Sequence, residues 1–572
     1  MSRASVPRIG TAPLAAQIDL LAGLVRLREL VPSFAEASAE TVDAVLEAAA
    51  AQAADRLEAL NATSECAPPR VVDGEVVTSA LYRQVWQDFA QGGWMTLDMP
   101  SEHGGQGLPL VVAVAAQEVF DRHCCAFGML PVPIRSAARL IDAWASDAIK
   151  AEWLPKLMSG EWGATICISE VGAGSDAGRM RTLAKPQDDG TWSITGEKQW
   201  ISFGDHDLTG RIGHCLLART EGSRGLSLFL VPDRIDGERN GVFVRNLEHK
   251  LGLHLSPTCA MGFEGARGWM LGEEGRGLAQ MFVMIANMRM AVGGMGLGMA
   301  SGAADVALSY ARERLQGGRG PNPVPIIEHA DVQRMVLGAQ AEVEAGRAVI
   351  YAAAVEADLA RVESDPARRA ESAAIAQWLL PIVKTLGGEL AFNTASTAIQ
   401  VLGGAGYTVD WPTEQILRDA RVLTIFEGTS GMQALDLLHR RLWKDRRAGL
   451  DAFLRQGEAD AAALAAAGQD HLAAEARTVF SLLDETAAHL MALEDQPREA
   501  EAGASALLDL SICAAQAWGA ARIAAAGGAG PVLDRLRALG GFLLGDLAGR
   551  AKLHAGRARR GADHLAAISA LG

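Results

Sequence analysis

Asp188-Asp-Gly-Thr-Trp-Ser-Ile-Thr-Gly-Glu-Lys-Gln-Trp-Ile-Ser-Phe203 is the stretch on which the reading of this chain turns. An Asp-Asp-Gly break precedes two short segments rich in β-formers, Thr191–Thr195 and Gln199–Phe203, the signature of strands behind a hairpin-like turn. Similar short apolar runs flank it: Ala164–Ser169 before, then Cys215–Arg219, Ser227–Val231 and Val242–Arg245. Runs at this spacing, with no helical periodicity among them, predict a small antiparallel β-domain over 163–272.

Outward from that domain the pattern is helical. Residues 1–162 carry alanine-rich periodic stretches such as Thr41–Leu60 and Ser79–Gly92, interrupted at Ala67-Pro68-Pro69. Past 272 the periodicity predicts one long helix over Gly277–Gln316, a glycine- and proline-rich loop, and two helices over 331–362 and 367–401. Gly403-Gly404-Ala405-Gly406 closes the last of these. Residues 273–447 thus read as a helical bundle, and 448–572 as an additional helical domain split near Pro497 and Gly527–Pro531. The expected fold is mainly α with a central antiparallel β-domain.

The 572 residues exceed what one hydrophobic core supports. A hydrophobic fraction of 49% with 21% charged residues excludes general disorder. The net charge of −15 argues against broad binding to a phosphate backbone. Seven cysteines, an odd number without a CxxC pair, suit a reducing compartment and offer neither a zinc site nor a disulfide framework. The first thirty residues show no basic-then-apolar signal, so a cytoplasmic location is expected. The small-apolar run Met290–Ala304, bounded by Arg289 and Asp305, is too short to span a bilayer.

No HExxH, GxSxG or GxxxxGK[ST] motif is present, and the Gly296/Gly298 pair sits in a helical pattern rather than after a strand. Four other signals carry chemistry. Ser169-Glu-Val-Gly-Ala-Gly-Ser-Asp176 leaves the first strand as a glycine-rich turn whose backbone N–H groups can cradle a pyrophosphate; a plain strand-to-loop turn is the alternative. Lys198-Gln-Trp-Ile-Ser-Phe-Gly204 places Trp200 on a strand, either as core packing or as a wall against a flat heterocycle with Ser202 as hydrogen-bond donor. Phe426-Glu427-Gly428-Thr429 holds a carboxylate where burial could raise its pKa towards that of a general base, though a solvated loop glutamate reads the same. Arg314-Leu-Gln316 and Gln400-Val-Leu-Gly-Gly404 set polar side chains beside glycines at helix ends, as phosphate or adenine edges require.

Taken in order, these strings resemble the acyl-CoA dehydrogenase family. The matching segments are Ser169–Asp176, Gly196-Glu-Lys-Gln-Trp-Ile-Ser202, Tyr310-Ala-Arg-Glu-Arg314, Gln400–Gly404 and Arg418-Asp-Ala-Arg-Val-Leu-Thr-Ile-Phe-Glu-Gly-Thr429, and they cover roughly 80–445. Leu251–Cys259, Gly272–Leu278 and the long C-terminal section resemble a subgroup of larger bacterial enzymes that includes 3-methylmercaptopropionyl-CoA dehydrogenases. The resemblance implies a helical domain, a β-barrel-like domain and a helical bundle, with FAD between the last two.

By motif position it implies that Ser169, Gly174 and Ser175 meet the flavin and phosphates, and that Trp200 and Ser202 flank the isoalloxazine. Arg314, Gln316, Gln400, Gly403 and Gly404 would serve the FAD of a neighbouring subunit in a homodimer. Thr429 would complete the flavin site after the catalytic base Glu427. Ser175, Asn287, Arg289 and Gly428 would line the acyl-CoA pocket. Four positions depart from the family pattern: Val171 for proline, Phe426 for tyrosine, Gly317 for phenylalanine and Ala330 for glutamine.

The implied reaction is α,β-dehydrogenation of an acyl-CoA thioester to the trans-2-enoyl-CoA, with electrons passed to an electron-transfer flavoprotein or similar acceptor. Either 3-methylthiopropanoyl-CoA or a fatty acyl-CoA would be the substrate. An acyl-CoA oxidase is the same-class alternative. A flavin-containing nucleic-acid-associated protein is another, but residues 451–572 hold 11 Lys and Arg against 15 Asp and Glu, the wrong balance for it.

Overall fold

The computed structural model describes residues 3–223 and 225–571. The chain forms two compact units, one made of Gln52–Leu108 and Cys124–Met288, the other of Met1–Ala51, Pro109–His123 and Arg289–Gly572.

The strands lie in the first of these. A small hairpin pairs β1 (Arg70–Val72) with β2 (Glu75–Val77). The sheet proper contains β3 (Gly163–Cys167), β4 (Leu183–Pro186), β5 (Trp192–Ser202), β6 (Ile212–Thr220) and β7 (Leu226–Pro232). After a minor ribbon of β8 (Arg234–Ile235) and β9 (Glu238–Arg239) come β10 (Val242–Leu247) and β11 (Thr258–Leu271). Pairing runs β11–β5–β4–β6–β7 and returns from β7 to β11, so five strands close into a ring, with β3 and β10 added outside it. Most pairs are antiparallel; β3 and β4 both run parallel to β6. Closure removes unpaired edges from the ring. Its interior holds Ala184, Ile194, Ile201, Leu216, Phe229, Val231, Met261 and Phe263.

The segments read separately as Thr191–Thr195 and Gln199–Phe203 are one strand, β5. Two register shifts against β11, between Cys259 and Met261 and between Glu264 and Ala266, break the strict alternation and disguise its continuity. The sequence reading also passed over the β1–β2 hairpin, whose segments are only three residues each.

The other unit is helical. Its main elements are α1 (Leu110–Gly128, bent at Cys124) as far as His123, α2 (Gly277–Glu313) from Arg289 onward, α3 (Ala330–Val362), α4 (Pro366–Leu402), α5 (Ala448–Ala466), α6 (Asp470–Met491), α7 (Pro497–Ala524) and α8 (Pro531–Ala558). The start of α4 is fixed by Asp365, whose carboxylate accepts from the N–H groups of Ala367 and Arg368 at 2.9 Å, with Pro366 following. Glycines set the helix crossings. A Cβ on Gly293 or Gly296 of α2 would strike Val383 or the Gly387 backbone of α4, and one on Gly298 would strike the Glu118 carbonyl of α1. Helix α2 is long and apolar enough to cross a membrane by length and composition, yet 72% of its most apolar window is buried inside the protein. The run Met290–Ala304 belongs to this core helix.

Helix α3 is buried on nearly every side, because α4 covers one face and α7 and α8 cover the other. Residues 448–572 are therefore part of this unit's core rather than a loose extension. Several of the charges inside it are paired: Glu118 accepts from Arg347 at 2.7 Å and from the Tyr351 hydroxyl at 2.6 Å, while Glu344 accepts from Arg535 of α8 at 2.8 Å. Buried ions need such partners, since their desolvation costs several kcal/mol each.

Candidate active site

After α4 the chain passes through a turn at Gly403–Tyr407 and a short helix to a 3₁₀ turn, Arg421–Thr424, and then to a helix, Ser430–Leu435. Glu427 and Gly428 link the last two, both with left-handed backbones at φ 55° and 91°. A glutamate in this region costs about 1–2 kcal/mol, so its surroundings must enforce it. They do so through the carbonyls. The Gln433 amide donates to the Glu427 carbonyl at 3.1 Å and to the Gly428 carbonyl at 3.2 Å, and the Lys384 ammonium donates to the Gly428 carbonyl at 2.8 Å. Thr429 caps the following helix by accepting from the Met432 N–H at 3.3 Å. The N–H groups of Glu427 and Gly428 meet no acceptor among the described residues. Two neighbouring N–H groups held in this way can receive a developing oxyanion.

The Glu427 carboxyl is half-buried but densely surrounded by protein, and this desolvation pushes its pKa up to about 7. The positive charges of Arg289 and Lys384 oppose the rise without cancelling it. Arg289, on α2, donates to Asp436 at 2.8 Å in a buried pair. Lys384, on α4, is fully buried; desolvation draws its ammonium down to about 8, against the pull of the Glu427 carboxylate. A carboxylate poised near neutrality suits general-base work.

The other unit carries the glycine-rich loop. Its N-terminal end is tied to β5, where the Gln199 N–H donates to the Ser169 carbonyl at 2.8 Å. The loop is then pinned by Glu170, which accepts from Lys198 at 2.9 Å, from the Arg181 N–H at 2.6 Å and from the Thr182 N–H at 3.1 Å. Between these anchors Gly174 and Ser175 are exposed, and a Cβ on Gly174 would meet nothing within 4 Å. Trp200 is 57% exposed, which excludes the core-packing reading. It sits in the bulge opposite Ala260 with φ 65°, a strained position that turns the indole away from the ring interior. Ser202 ends β5, half-buried. Asn287 turns its amide back to the Val283 carbonyl of its own helix at 2.9 Å.

Arg314 and Gln316 lie at the exposed end of α2, and Gln400, Gly403 and Gly404 at the exposed end of α4. An edge-to-face contact of Tyr310 with Trp411, 5.1 Å between centroids, brings these two segments together. Gly317 has φ 65°, and the neighbouring His329 ring bonds the Gln316 carbonyl at 2.8 Å, so the departure from phenylalanine matches a left-handed turn. Sequence reasoning missed Lys384, Gln433, Asp436, Glu170 and Lys198 as site-building residues. The available signal for Lys384 was a lone charge in the apolar run Pro381–Leu386.

Models of the acyl-CoA dehydrogenase N-terminal, middle and C-terminal domains match residues 36–161, 165–266 and 275–442. The chain is 39% identical over 511 residues to 3-methylmercaptopropionyl-CoA dehydrogenase of Ruegeria pomeroyi, covering 86% of each. It is 35% identical to the broad-specificity linear acyl-CoA dehydrogenase FadE5 of Mycobacterium tuberculosis over 63% of this chain and 62% of that one. Among solved structures, Caenorhabditis elegans ACDH-11 in complex with C11-CoA superimposes with a TM-score of 0.79 at 20% identity, over 94% of this chain and 92% of that one. The acyl-CoA dehydrogenase of Bacillus anthracis complexed with FAD gives 0.70 at 22% identity, over 84% and 82%. These two likenesses speak for the fold, the sequence matches for the lineage. The chain belongs to the acyl-CoA dehydrogenase family, and is an oxidoreductase acting on acyl-CoA.

Proposed function

We propose that this protein is a FAD-dependent dehydrogenase that converts an acyl-CoA thioester to its trans-2-enoyl-CoA, with Glu427 as the base. The observation that carries the reading is the Glu427 carboxyl itself: desolvated, with a pKa near 7, and placed beside two backbone N–H groups that lack acceptors. FAD is the family's cofactor, and the exposed Trp200, the open Gly174–Ser175 turn and Ser202 fit a flat heterocycle with an attached pyrophosphate. When bound, FAD accepts the hydride equivalent leaving the β-carbon.

This chain's residues do the remaining work. Glu427 takes the α-proton onto a carboxylate oxygen. The Glu427 N–H holds the thioester oxygen as it gains enolate charge, and because the carbonyls of Glu427 and Gly428 are already tethered, little reorganisation is needed. Arg289, bound to Asp436, adds positive potential beside the reacting carboxylate.

The extensive similarity to the Ruegeria pomeroyi enzyme favours 3-methylthiopropanoyl-CoA as substrate, with fatty acyl-CoA thioesters as the comparison set. An electron-transfer flavoprotein or similar carrier would receive the electrons. We further propose a homodimer in which the surface formed by Arg314, Gln316 and the Gln400–Gly404 turn serves the partner's FAD. Anaerobic flavin bleaching by a panel of acyl-CoA and methylthioacyl-CoA thioesters tests the reaction. Failure of every thioester to reduce bound flavin would refute it, and rapid H2O2 formation in air would reassign the chain as an oxidase.

A further inference from the structure

We propose that Lys384 is a positioning residue for α-proton abstraction: its buried ammonium fixes the Gly428 carbonyl and supplies the positive charge that keeps Glu427 available as a base. The inference rests on the reading of Glu427 as that base.

Lys384 lies on α4 between Val383 and Thr385, fully enclosed, and its hydrogen-bond acceptor among the described residues is the Gly428 carbonyl at 2.8 Å. A buried ammonium costs several kcal/mol unless compensated, and one neutral carbonyl is thin compensation. A neutral donor would suffice for tethering alone, as Gln433 demonstrates by holding the same carbonyl with an amide at 3.2 Å. What lysine adds is charge.

That charge faces Glu427. The other charged groups around the carboxylate are few. Arg289 on α2 is paired with Asp436 at 2.8 Å, and Asp436 also faces Arg440 at 3.4 Å. Glu389, further along α4, makes no ion pair among the described residues; it faces Asp509 of α7, Arg421 and Lys384, and Asp509 approaches His554 at 3.5 Å. Arg289 is shared between Asp436 and Glu427 and is the stronger of the two cations opposing the rise at Glu427; Lys384 is the second, and its principal carboxylate neighbour is Glu427. Without it, desolvation would act on Glu427 opposed only by Arg289, and the base would be protonated over more of the neutral range.

The test compares K384Q and K384R in the full-length flavin-loaded protein, since both keep a donor for the Gly428 carbonyl and only arginine keeps the charge. The readout is the titration of the Glu427 carboxyl by infrared difference spectroscopy, its band assigned by its absence in E427Q. K384Q should raise the midpoint by about one unit, and K384R should leave it near wild type. An unchanged midpoint in K384Q would overturn the proposal. Should K384Q fail to fold, the reciprocal measurement decides. Lys384 is one of eight lysines, so its ¹⁵Nζ resonance is assignable, and E427Q should depress its titration by a similar amount. An unchanged Lys384 titration in E427Q would equally overturn it. The two readings fail separately. Wild-type flavin reduction by 3-methylthiopropanoyl-CoA in E427Q removes the base assignment. An inactive E427Q combined with an unshifted K384Q removes only the role of Lys384.

Discussion

Lys198 and Glu170 form an ion pair of 2.9 Å inside the β-unit, and through it the glycine-rich loop is fastened to the middle of a strand. The ammonium is completely enclosed and also donates to the carbonyls of Ile168 and Leu217 at 2.9 and 2.8 Å. Breaking such a pair on one side leaves an uncompensated charge and typically costs about 3–5 kcal/mol. K198M and E170Q should each lower the melting temperature and reduce the flavin retained per chain after gel filtration. Wild-type melting and stoichiometry in both would mean the pair is idle.

Glu427→Gln preserves shape and removes the proton acceptor. Flavin should stay bound while its reduction by substrate falls about 10²–10⁴-fold, the usual worth of a general base. Anaerobic stopped-flow bleaching reads this directly, and a rate within a few-fold of wild type would place the base elsewhere.

The pH dependence has a definite sign. Glu427 must be ionised to act, so flavin reduction in wild type should rise as pH increases through about 7. Stability should move the opposite way. The folded pKa, about 7, lies above the ordinary 4.5, so between these values the folded chain keeps a proton that the unfolded chain has lost. Stability is thereby lost as pH climbs through that window. E427Q should therefore melt higher than wild type at pH 8, with the difference gone near pH 4.5. Parallel melting curves across that range would contradict the shift.

The helices beyond 447 should not be removable. They cover α3, and Gly519 packs against the Ala345 carbonyl too closely to admit a side chain. A chain ending at 447 should aggregate, and limited proteolysis of the intact protein should not release 448–572 early. A soluble, flavin-binding truncation detected by size-exclusion chromatography would show the opposite.

Much of the architecture was readable because periodicity and punctuation agree. Helix α4 begins at Asp365-Pro366 and stops at Gly403, within two residues of expectation. Strand β5 was harder, since the bulge at Gln199–Trp200 offsets the inside-outside alternation that marks a strand. The same bulge explains why Trp200 could not be placed from sequence: exposure there depends on a left-handed residue, and nothing local announces one. Glu427 was legible through its motif. Lys384 was not, because its meaning comes from Gly428, 44 positions away, and only the packed helix joins them.

The helical unit is assembled from three pieces of chain, and its polar fastenings span long separations: Glu118 to Arg347 over 229 residues, and Glu344 to Arg535 over 191. At synthesis rates of about 5–20 residues per second, Arg535 emerges roughly 10–40 s after Glu344. Throughout that interval α3, buried on nearly every side in the finished fold, has been made but its cover has not. The β-ring finishes early from one continuous stretch, whereas the helical unit must wait with its centre uncovered. The yield of active protein in a cell should accordingly follow chaperone supply and growth temperature more steeply than the stability of the finished molecule would suggest.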